Sequence, residues 1–104
     1  MAEIVVAQVQ SGGRTSATVG DLVVLRLSEN PTTGYRWEVR TSGGLTQVGD
    51  DFVAASNAPG AGGERHLRFL VQTPGLSHID ASLRRSWETE RTPLNAFTLS
   101  IEAH

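Results

Sequence analysis

The 104 residues carry a net charge of −2 and no cysteine, which excludes disulfides, thiolate metal sites and a cysteine nucleophile. The charge balance leaves no electrostatic footprint for nucleic acid or an anionic membrane. No apolar run approaches the ~20 residues that span a bilayer. A chain of this length is expected to form one domain, residues 1–104, with a core that stands on packing alone. Met1 to Val9 alternates and lacks a continuous apolar signal core. Either a cytoplasmic protein or a mature exported form is expected, and a monomer, although exposed edge strands permit pairing.

Ile4 to Val9 reads as a first strand, which Ser11-Gly12-Gly13 breaks. Arg14 to Val19 is polar and β-branched, an edge segment. Gly20-Asp21 turns into Leu22 to Leu27, where Val23, Leu25 and Leu27 alternate with Leu22, Val24 and Arg26. Such composition favours strand over helix. Asn30-Pro31-Thr32-Thr33-Gly34 follows as a stiff loop. Asn bonds its own backbone, Pro fixes φ at about −65°, and Gly34 supplies a positive φ. Tyr35 to Val39 leaves it as a strand with Tyr35, Trp37 and Val39 inward and Arg36, Glu38 and Arg40 outward. Tyr35 and Trp37 are expected in the core, with Tyr35 supporting the loop base.

Thr41 to Gly44 is a turn. Leu45 to Val48 and Phe52 to Ala54 read as two short strands, and the Asp50-Asp51 pair between them as a solvated turn. Ser56 to Gly63 is loop. Arg65 to Gln72 is the clearest strand, with Leu67, Phe69 and Val71 on one face and His66, Arg68 and Leu70 on the other. After Thr73-Pro74-Gly75, Leu76 to Leu83 sets Ile79, Ala81 and Leu83 against His78, Asp80 and Ser82. Arg84 to Pro93 is charged and irregular. Ala96 to Glu102 closes the chain with Phe97, Leu99 and Ile101 inward.

About seven short strands with frequent turns predict an all-β, immunoglobulin-like antiparallel β-sandwich. A small β-barrel is the alternative. With strands lettered A to G, antiparallel order puts the B–C, D–E and F–G connections at one end. Asn30 to Gly34, Ala58 to Gly63 and Arg84 to Pro93 should therefore meet.

These three loops carry a resemblance. Asn30 to Trp37 is similar to the signature loop of the chagasin family, inhibitors of papain-like cysteine peptidases. Gly60-Ala61-Gly62-Gly63 resembles the family's glycine-rich D–E motif. Arg85-Ser86-Trp87 resembles its Arg-Pro-Trp motif in F–G, with Ser86 in place of proline. The resemblance implies a reversible inhibitor that performs no chemistry. Its Asn30, Pro31, Thr32, Thr33, Gly34 and Tyr35 would bind the peptidase, with the Thr32–Thr33 tip lying over the catalytic cysteine. Gly60, Ala61, Gly62 and Gly63 would make backbone contacts on the unprimed side of the cleft. Trp87 would pack on the primed side, with Arg85 and Ser86 beside it.

The residues themselves agree with an exposed binding surface. Trp87 sits among Arg84, Arg85, Glu88, Glu90 and Arg91, and Trp and Arg are enriched at interface hot spots. The alternative places Trp87 as a cap on the sandwich end. His66, His78 and His104 lack metal-ligand spacing, and no nucleophile motif surrounds any serine. No enzyme, metal or cofactor is expected. A different function remains open on the residues alone, that of an immunoglobulin-like binding or adhesion module whose loops meet another protein.

Overall fold

The computed structural model describes residues 2–58, 60–85, 87 and 93–104. Among these, eight strands form two four-stranded sheets. They are β1 (Glu3–Ala7), β2 (Gly13–Ala17), β3 (Leu22–Glu29), β4 (Tyr35–Ser42), β5 (Leu45–Ala54), β6 (Gly63–Val71), β7 (Gly75–Arg85) and β8 (Asn95–Ala103). One sheet has the order β1-β3-β6-β5 and the other β2-β8-β7-β4. This is the expected immunoglobulin-like β-sandwich.

The inward rows are those that alternation marks. Val23, Leu25 and Leu27 face Ile79, Ala81, Phe97, Leu99 and Ile101 across the core, with Leu67, Phe69 and Val71 beside them. None of these is more than 3% exposed. Full burial of one large apolar side chain contributes roughly 1.5–3 kcal/mol, so these rows fix which face of each strand turns inward. Trp37 completes the core at the loop-bearing end, 4% exposed. Its indole Nε1–H donates to the Ser28 carbonyl at 2.8 Å, so its one polar atom is satisfied.

Three local readings are corrected. The first strand ends at Ala7, and Gln8–Gln10 forms a 3-10 turn that leaves Val9 93% exposed. Alternation stops there because the chain changes sheets. β1 pairs parallel to β3, while β2, after the positive φ of Gly12, pairs parallel to β8. Leu45–Ala54 is one ten-residue strand, interrupted only by a register shift between Gln47 and Gly49. Asp50 and Asp51 lie inside it and form no turn. Their cross-strand diagonals are Arg65 and Arg68 on β6, which bond them at 2.5 and 2.6 Å. Opposite charges on neighbouring strands override the turn preference of aspartate. Finally, β7 runs to Arg85 and β6 starts at Gly63, so both residues belong to strand ends and not to loops.

Candidate functional site

The strand ends that flank the β3–β4, β5–β6 and β7–β8 connections share one end of the sandwich, as parity requires. The β3–β4 connection is a single 3-10 turn, Pro31–Thr33. Asn30 caps it, its Oδ1 accepting the Thr32 amide at 3.1 Å and the Thr32 hydroxyl at 2.6 Å. Proline stands at the first position of the turn, where its missing N–H costs nothing. The Thr33 hydroxyl donates to the Asn30 carbonyl at 2.8 Å. Gly34 ends the turn at φ +80°, a left-handed conformation in which its N–H reaches the Pro31 carbonyl. Thr32 and Thr33 are exposed at the tip.

Two side chains tie the neighbouring connections to this turn. The Asn30 Nδ2 donates to the Gly60 carbonyl at 3.2 Å, which joins the β5–β6 connection to the tip. From the other side, Arg85 Nε donates to the Thr33 carbonyl at 3.1 Å. The Arg85 guanidinium also lies 4.4 Å above the Tyr35 ring and 5.7 Å from that of Trp87. Cation–π contacts of this kind contribute about 0.5–1 kcal/mol when exposed. Each of the three segments thus holds the next through a named polar or aromatic contact.

The sequence-derived candidates fall as follows. Asn30, Pro31, Thr32, Thr33 and Gly34 build the tip. Tyr35 is half-buried, not core: its inward register brings it to the open end of the sandwich, where Arg85 covers its ring. Two of the glycines have reasons inside the fold. Gly60 adopts φ +76° with open space around it. A Cβ at Gly63 would come within 2.2 Å of the Val53 carbonyl oxygen, so only glycine lets β6 start against β5. Gly62 lies against the Glu29 carbonyl and Asn30, while Ala61 is half-buried. Trp87 is 68% exposed, which removes the core-cap alternative. Its ring rests against Gly34. Ser86 lies outside the described residues.

Sequence reasoning missed Glu29 and Arg65. Glu29, 5% exposed, accepts the Trp37 amide at 3.0 Å and two bonds from Arg65 Nη1 at 3.2 Å. Arg65 bonds Asp50 in turn through Nε and Nη2 at 2.5 and 2.8 Å. This hydrogen bonding holds the Asp50 carboxyl below its usual range and raises the Arg65 guanidinium. The signal was present: Glu29 extends the Leu25–Leu27 row and Arg65 precedes the Leu67–Phe69 row, each by two residues. Alternation therefore places opposite charges inward at the same end of paired strands.

Comparison with known proteins bears on the family and the fold. The model of the chagasin family peptidase inhibitors, I42, matches residues 16–101. Chagasin of Trypanosoma cruzi is 27% identical over 106 residues, covering 95% of this chain and 96% of chagasin. The crystal structure of the cysteine protease inhibitor EhICP2 from Entamoeba histolytica superposes with a TM-score of 0.88 at 23% identity, covering 100% of this chain and 97% of that one. PbICP-C, solved in complex with falcipain-2, gives a TM-score of 0.56 at 16% identity over 97% of this chain and 87% of the other. At those identities the two structures establish the fold. The chain belongs to the chagasin family of peptidase inhibitors, I42, a family of cysteine peptidase inhibitors and not of enzymes.

Proposed function

We propose that the loop-bearing end of the sandwich is a preassembled plug for the active-site cleft of papain-like cysteine peptidases. The observation that carries the reading is the linkage of the three segments through Asn30–Gly60 and Arg85–Thr33. Loops held in their binding geometry lose little conformational entropy on association, so more of the contact energy appears as affinity. The Thr32–Thr33–Gly34 tip, with Asn30, Pro31 and Tyr35 at its base, lies over the catalytic cysteine. Gly60, Ala61, Gly62 and Gly63 run along one side of the cleft, and Arg85, Ser86 and Trp87 along the other. The amides of Thr32, Thr33 and Gly34 are engaged within the turn and the Thr33 carbonyl is held by Arg85, so the tip is locked in a turn and is a poor substrate for the nucleophile it covers. The falcipain-2 complex of PbICP-C supports a papain-like target. The protein acts as a single domain and as a monomer in this role.

Titration against papain, a cathepsin L-type enzyme, trypsin and subtilisin tests the reading. Tight, reversible inhibition of the first two and none of the others is expected. No inhibition of papain-like enzymes at micromolar concentration would leave an immunoglobulin-like binding module as the better account.

A further inference from the structure

The Glu29 side chain is 3% exposed and charged, an expensive state that the core packing does not require. Taking a carboxylate out of water costs several kcal/mol unless it is well paired. An apolar residue in the same inward row would fill the space at less cost. What Glu29 supplies is a bridge between the sheets. It ends β3 in one sheet and accepts the amide of Trp37, near the start of β4 in the other. β4 is an edge strand, so an amide on its free side has no strand neighbour and needs another acceptor. The tip Asn30–Gly34 is the only covalent link between these two strands. Glu29 therefore closes the loop at its base, with residues 30–36 held above it. The Trp37 indole, bonded to the Ser28 carbonyl, closes the same base from the opposite direction.

The carboxylate is held in turn from β6 and β5. Arg65 spans from Glu29 to Asp50, and its side chain is 19% exposed where that of Asp50 is 39% exposed. A charge relay thus runs from an outer strand edge to the stem of the tip.

We infer that Glu29, oriented by Arg65 and Asp50, is a positioning residue that sets the conformation of the Asn30–Gly34 tip and through it the strength of peptidase inhibition. The inference rests on the proposed function for its inhibitory consequence, while its structural part is independently measurable.

The experiment compares Glu29→Gln, Asp50→Asn and Ile101→Val with wild type. Ile101 is fully buried and lies in β8 opposite Ser77, away from the loops, so its variant controls for lost stability alone. Two quantities are read: the inhibition constant for papain, and hydrogen exchange at the amides of Thr32, Thr33 and Gly34, all bonded within the turn. Glutamine keeps the shape but removes the charge that receives Arg65. Glu29→Gln is expected to weaken inhibition about tenfold and to accelerate tip exchange by a similar factor. Asp50→Asn should do the same at about threefold. Ile101→Val should lower the melting temperature and leave both readings at wild-type values. If Glu29→Gln changes the tip amides and inhibition no more than Ile101→Val does, the inference is overturned. Should Glu29→Gln fail to fold, Asp50→Asn decides, and unchanged tip exchange in it overturns the inference equally. If wild type does not inhibit papain, the proposed function fails, and the exchange comparison still decides the positioning role.

Discussion

The indole of Trp87 occupies the space that any side chain at Gly34 would need: a Cβ there would lie 2.7 Å from Trp87 Cη2. Gly34 therefore serves two ends, a φ of +80° that closes the turn and a flat seat for the ring. Gly34→Ala should cost stability through backbone strain, about 1–2 kcal/mol. The ring is the far end of an exposed side chain and can yield. Its displacement should appear in tryptophan fluorescence and in weaker inhibition. Measured as a double-mutant cycle on inhibition, Gly34→Ala and Trp87→Ala should be non-additive. Additive losses would show that the seat has no role in binding.

Trp87→Ala alone should separate binding from folding. At 68% exposure the ring buries little against its own chain, so the melting temperature should shift little. Truncating an interface aromatic of this kind costs ~2 kcal/mol or more, about thirtyfold in the inhibition constant. A lowered melting temperature with unchanged inhibition would contradict the exposed-anchor role.

The inward rows were legible in the sequence because period-2 alternation is a direct consequence of the pleat. Val23 to Leu27, Leu67 to Val71 and Phe97 to Ile101 all fell on the faces that alternation marked. The tip was equally legible, since Asn30, Pro31 and Gly34 each have a backbone preference that the turn uses. What could not be read were features set by non-local partners. Asp50 and Asp51 look like turn residues until Arg65 and Arg68 stand across from them. Tyr35 has the register of a core residue, but register does not say that its strand begins at the open end, beneath Arg85. Glu29 and Arg65 were overlooked for a related reason. Alternation turns both inward, but it does not say which strands pair, and only the pairing of β3 with β6 brings the two charges together.

Asn30 performs two jobs that substitution can divide. Aspartate retains an oxygen for the Thr32 amide but cannot donate to Gly60. Asn30→Asp should keep the turn, since the two residues cap almost equally well, while amide exchange at Ala61 accelerates and inhibition weakens. Asn30→Ala should lose the cap as well, with a stability cost of about 0.5–2 kcal/mol. Equal inhibition by Asn30→Asp and wild type would mean that the link between tip and β5–β6 connection does not contribute to binding.

Acid should weaken the fold through its paired carboxylates. The hydrogen bonds from Arg65, aided by the nearby charge of Arg36, hold the Asp50 carboxyl below its ordinary range. Asp21 is lowered by the amides of Thr18 and Ala2, and Glu64 by Arg26 and then His66. A group whose folded pKa is depressed contributes stability that is fully present above its unfolded pKa, about 3.9 for aspartate. That contribution is lost as pH falls through the folded value. Arg65 is shifted the other way, first by Asp50, and it adds no titration of its own in the acid range because it stays charged on both sides of folding, so what the pair gains is lost with the Asp50 charge. Urea midpoints for wild type and Asp50→Asn should therefore differ at pH 6 by an amount worth at most about 1 kcal/mol, since the carboxylate is partly exposed. The two curves should converge as pH drops below about 4. If the difference at pH 3 equals that at pH 6, the stabilising element at this position is the shape of the side chain and not its charge.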